Sequence, residues 1–115
     1  MLLGLSSDSQ GESVDFSAIT DGGDNGVPHG DLLVRFSQVA ASLDSTESEL
    51  AAVRAEVIDA MGEVGFVEAA ATVANFTMMT RIADGTGTPL DPGTVEPSAP
   101  MREAMKLDGL VSARH

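Results

Sequence analysis

Residues 65–87, GFVEAAATVANFTMMTRIADGTG, are the one stretch of this chain that is long, strongly helical in composition and apolar on nearly every side. At about 100° per residue, Phe66, Ala70 and Val73 fall on one face, Val67, Ala71, Met78 and Ile82 on a second, and Phe76, Met79 and Ala83 on a third. A helix that is apolar all round is a buried helix, so a core helix about 27 Å long is predicted here. Glu68, Thr72, Asn75, Thr77, Thr80 and Arg81 interrupt it too often for a membrane span, which wants about 20 predominantly apolar residues. Gly85 and Gly87, followed by Pro89, end it.

A chain of 115 residues fits one domain with a real core. It contains no cysteine, which removes disulfides, thiolate metal sites and cysteine-based redox or nucleophilic chemistry from these residues. Six basic against eighteen acidic residues give a formal charge of −12, which repels phosphate backbones and anionic lipid surfaces. Nucleic acid and membrane are therefore not expected as partners, and the acidity is read first as a source of solubility. Few aromatics and abundant Ala and Met suit closely approaching helices with flexible gap-filling side chains. The opening MLLGLSSDSQ lacks a basic region and has too short an apolar run for a secretory signal, so a cytoplasmic location is expected.

Two regions are expected: an acidic Gly/Ser-rich arm over residues 1–30 and a helical domain over 31–115. The arm has five acidic residues from Asp8 to Asp24 and no Lys or Arg, so an extended conformation is predicted. Leu2-Leu3-Leu5 and Val14-Phe16-Ile19 are apolar groups that can anchor it to the helical body or to a neighbouring subunit. From Asp31, the residues Leu32, Leu33, Phe36, Val39, Ala40 and Leu43 recur at helical intervals, with Asp31 at the positive end. Thr46 and Glu49 have capping-box spacing and start a second helix, whose stripe is Leu50, Val53, Val57, Ile58 and Met61 and whose end is Gly62. The short link between these two helices predicts antiparallel neighbours. Three prolines make residues 88–97 a loop, and Ser98–Leu107 reads as a short terminal helix with Pro100 in its first turn. The fold class is all-α: a small bundle of three to four helices around the central apolar helix, with an extended N-terminal arm.

The candidate site residues are Glu68, Asn75, Arg81 and His29. Glu68 is the only carboxylate in the first turns of the apolar stretch, where partial burial would suit it to acid–base work; next to a helix start it also simply complements the dipole. Asn75 lies mid-helix among apolar neighbours and needs hydrogen-bond partners there, which points to bonding between helices. Arg81, beside Asp84, can line a pocket or bond a partner chain, against the plainer reading of a solvated ion pair that caps helix carbonyls. His29 sits in a Gly/Pro turn near Asp21, Asp24 and Asp31, and His115 lies at the terminus; neither has the convergent ligands of a metal site. Asp21-Gly-Gly-Asp-Asn-Gly fails as a calcium loop because Gly23 occupies a ligand position and Leu32 stands where the bidentate acid is required. No cofactor motif, paired carboxylate or phosphate-cradling loop is found.

The run from about His29 to Leu90 resembles the C-terminal part of the AhpD-like, or carboxymuconolactone decarboxylase-like, helical superfamily. The resemblance is carried by the LLVRFSQVAASL helix, the capped helix after it, Gly65-Phe66-Val67-Glu68, Val73-Ala74-Asn75-Phe76 and Arg81-Ile82-Ala83-Asp84-Gly85 leading to Pro89-Leu90. It implies an all-α bundle that forms dimers, trimers or hexamers, and in active members a peroxide-reducing Cys-x-x-Cys with a nearby His and Glu. This chain has no cysteine, so none of those redox residues carries over. The expectation is a self-associating, cysteine-less AhpD-like protein without peroxidase activity. The alternative is a small-molecule enzyme or binder of decarboxylase type, with Glu68, Asn75, Arg81 and His29 around a pocket between helices. A third reading is an interaction module that uses the acidic arm.

Overall fold

The computed structural model describes residues 13–110. They form five α-helices and a 3-10 turn: α1 Phe16–Asp21, α2 Gly30–Ala41, α3 Glu47–Thr86, α4 Pro92–Val95, α5 Ala99–Ala104 and the turn Leu107–Gly109. No strand occurs among the described residues, and the all-α expectation holds. The chain divides into two compact units, one of His29–Ile82 and one of Met1–Pro28 with Ala83–His115.

In the unit His29–Ile82, α2 and the start of α3 follow directly from the sequence. Asp31 lies in the first turn of α2, Gly30 and Phe36 are its buried residues, and the half-buried Leu32 and Val39 pack against the same core. The helix ends at Ala41, which leaves Leu43 exposed in the following turn instead of on the apolar stripe. There Ser45 Oγ donates to the Val39 carbonyl at 2.7 Å. The capping box then forms as read: the Thr46 amide donates to Glu49 Oε2 at 2.7 Å and the Glu49 amide to Thr46 Oγ1 at 3.2 Å. Arg35 of α2 reaches Glu56 of α3 at 2.9 Å across the short link, the pattern of an antiparallel helical hairpin. This bond, with the attraction of Glu56 and Asp31, raises the Arg35 pKa.

The core of this unit is Phe36, Val53 and Val57, exposed by 4%, 5% and 0%. Gly62 makes that core accessible to both halves of α3. Its backbone, at φ 77° and ψ 172°, is non-helical and belongs to a region almost reserved for glycine, so α3 breaks there where the sequence placed a helix end. Val53 and Val57 precede the break; Phe66, Ala69, Ala70 and Val73 follow it and pack on the same core. The Phe36 and Phe66 rings meet edge to face, 5.9 Å apart at 72°.

The structure corrects the central expectation of burial on every side. Of the residues after the break, Gly65, Phe66, Ala69, Ala70 and Val73 are half-buried, while Val64 and Val67 are exposed, as is every residue from 74 to 82. The reason is reach. Helix α2 has 12 residues, about 18 Å, and packs also on the first half of α3, whereas residues 63–82 alone extend for about 30 Å.

In the other unit, residues 13–28 are not an extended arm throughout. The Asp15 carboxylate accepts from the Ser17 and Ala18 amides at 3.0 and 3.4 Å and from Ser17 Oγ at 2.6 Å, starting α1. Those bonds, the one from the Ser17 hydroxyl first, lower the Asp15 pKa. Thr20 donates to the Met105 carbonyl at 3.3 Å, and Asp21 pairs with Lys106 at 2.8 Å, so α1 lies against residues 105 and 106. The Leu2-Leu3-Leu5 group lies outside the described residues. Within the expected 88–97 loop, Asp91 caps the one-turn helix α4 through a 2.7 Å bond from the Gly93 amide. Gly87, at φ 70°, follows the last residue of α3 as the sequence anticipated. Arg102 ties the end together: it donates to the Val95 carbonyl and to the Ser98 hydroxyl, and pairs with Asp108 at 2.9 Å.

Candidate functional site

Because both halves of α3 lean on α2, a cavity of about 240 Å³ opens between them. Leu33 and Ser37 line it from α2, and Met61, Gly65, Glu68, Ala69, Thr72 and Val73 from α3. Its polar groups have a single character. Ser37 Oγ donates to the Leu33 carbonyl at 2.7 Å and Thr72 Oγ1 to the Glu68 carbonyl at 2.8 Å, so each hydroxyl turns only lone pairs outward. With the Glu68 carboxylate, the wall offers acceptors, no side-chain donor and no base held against a nucleophile. The volume lies below the 300–1,000 Å³ usual for drug-sized ligands.

Of the four residues singled out in the sequence, the cavity gathers one. Glu68 lines it but is exposed, so the burial that an acid–base role required is absent. Asn75 is also exposed instead of bonding between helices; its Nδ2 lies 3.8 Å from Met79 Sδ, one turn along the same helix. Arg81 is exposed and does not pair with Asp84. His29 precedes α2 in a left-handed conformation at φ 56°, exposed and without a side-chain cap bond. No group of three or more His, Asp or Glu residues converges among the described residues, and His115 lies outside them.

What reading the sequence missed is which hydroxyls border the cavity. Ser37 and Thr72 each stand four residues after the carbonyl they bond, a spacing visible in the sequence, but their sharing one cavity depends on the break at Gly62. Arg81 differs from the other described cations in a way the sequence did not announce. Arg35 pairs with Asp31 and Glu56, Arg54 with Glu47, Arg102 with Asp108 and Lys106 with Asp21, whereas Arg81 has no carboxylate partner among the described residues.

No protein-family model, no curated protein and no solved structure matches this chain. No helix among the described residues is long and apolar enough to cross a membrane. Among the described residues the fold is all-α, and its longest helix leaves Val64, Val67, Phe76, Met78, Met79 and Ile82 exposed.

Proposed function

We propose that this chain is a self-associating helical protein, in which other copies cover the apolar surface that one copy leaves bare. One observation carries the reading: Val64, Val67, Met78 and Ile82, on one side of α3, are exposed by 74%, 62%, 54% and 58%, and Phe76 and Met79 are exposed on another face of the same helix. Single exposed apolar residues are ordinary, but a continuous helical run of them marks an interaction site. Copies that meet there remove that surface from water, the main driving force of association. The resemblance of residues 29–90 to AhpD-like proteins supports the reading through the oligomers that family forms. Without cysteine, these residues have no nucleophile for thiol-based peroxide reduction.

Light scattering tests the reading. The wild-type chain is expected to form a defined oligomer at micromolar concentration, and Ile82→Glu, which places a charge on the exposed run, to shift it toward 11.8 kDa monomers with unchanged helicity. A wild-type chain that stays monomeric overturns it. The alternative, a small-molecule binder or decarboxylase-type enzyme, draws on the cavity beside Glu68, but Asn75, Arg81 and His29 lie outside that cavity.

A further inference from the structure

We propose that two copies pair antiparallel along residues 63–82 of α3, in a register that sets Val67 against the partner copy's Met78 and joins each Arg81 to the partner copy's Glu63. This rests on the self-association reading and gives it a geometry. The seam comes from the helical repeat. At about 100° per residue, Val64, Val67, Ala71, Ala74, Met78 and Ile82 share roughly 80° of arc, and every one is exposed. Phe66, Ala69, Ala70 and Val73, turned away from that arc, are the residues already packed on the chain's own core. The spacing of three and four between successive members of the stripe is that of a two-helix seam.

Side-chain size and charge then select orientation and register. In the antiparallel register, Val67 of each copy shares a layer with the partner's Met78, Ala71 with Ala74, and Val64 with Ile82. Small residues meet at the centre, where they let the axes approach, and larger ones fill the layers on either side. The flanks agree with this. Arg81 and Glu63 are 18 residues apart, five whole turns, so they lie on the same flank and meet across the axis once one helix is reversed. Neither has a charged partner within its own chain among the described residues. On the other flank, Glu68 comes beside the partner copy's Asn75, whose amide can donate to it. A parallel pair would instead crowd Glu63 and Glu68 of both copies at one end and set both Arg81 residues about 27 Å away. Asn75 and Arg81, which lie outside the cavity, thus fall on the two flanks of one seam.

The absence of cysteine makes the test direct, because an introduced thiol has only its designed partner. Val67→Cys and Met78→Cys would each be prepared in the full chain, oxidised alone and as an equimolar mixture, and separated on a non-reducing gel. A disulfide needs its Cα atoms within about 7 Å, and two copies of residue 67 lie about 16 Å apart along the axis in this register. Cross-linked dimer in the mixture, with little from either variant alone, is the expected result. Strong cross-linking of Val67→Cys with itself overturns the antiparallel arrangement. Absence of any cross-link in samples that light scattering finds dimeric overturns this seam while self-association stands, and a monomeric wild-type mass overturns both. As a second readout, Arg81→Glu is expected to weaken the dimer several-fold and added Glu63→Arg to restore it; failure of the pair to restore contradicts the register.

Discussion

Glu49 shows how far a local rule carries at the scale of single residues. Its carboxylate accepts from the amide of Thr46 and, secondly, from its hydroxyl, and these bonds hold its pKa below the ordinary value of 4.5. A depressed carboxylate pKa stabilises the folded state above the unfolded value and loses that contribution as pH falls through the folded value. Helix content is therefore expected to be level from neutral pH down to about 4.5 and to decline below it. Glu49→Gln, which keeps an acceptor for the capping box but cannot titrate, is expected to flatten part of that decline in a circular dichroism titration. An identical acid limb in both proteins would show that the capping bond does not matter to the folded state. The capping box was legible in the sequence because all of its atoms lie within four residues. The exposure of Asn75 and Arg81 was not, because it depends on where α2 ends.

At the scale of the element, the break in α3 decides what the core contains. Gly62 has open space where a Cβ would stand, so a substitution there meets backbone strain and no clash. Gly62→Ala is expected to lower stability by about 1–3 kcal/mol in urea denaturation. Gly85→Ala, in equally open surroundings but on helical backbone, is expected to raise it by about 0.5–1 kcal/mol. Equal effects of the two would contradict the assignment of a break. The sequence marked Gly62 as a helix end and Thr46 as a start, and both ends are present. It did not reveal that residues 74–82 are exposed. Periodicity reports which faces are apolar, and the length of the neighbouring helix determines which of them are buried. The helix α1 went unread for a related reason: the sequence marked Val14, Phe16 and Ile19 as an apolar anchor, but their acidic, Gly-rich surroundings masked the cap at Asp15 that starts a helix there.

For the whole molecule, two forces oppose each other. The exposed stripe favours association, while a formal charge of −12 on each copy resists it. Raising the ionic strength screens the net repulsion more than it weakens apolar contact, so the oligomer is expected to tighten with added salt in sedimentation velocity runs. Dissociation by salt would mean that ion pairs dominate the interface and that the apolar stripe is not its basis. The excess of apolar helix surface was legible in the sequence pattern, and from it came the expectation of a partner copy; the register proposed for the seam required knowing which face α2 had already taken.

The most direct test is the equilibrium mass of the intact chain by sedimentation at micromolar concentration and moderate salt. Self-association through α3 predicts a mass of at least twice 11.8 kDa, reduced by Ile82→Glu. A well-folded wild-type chain at 11.8 kDa would contradict it.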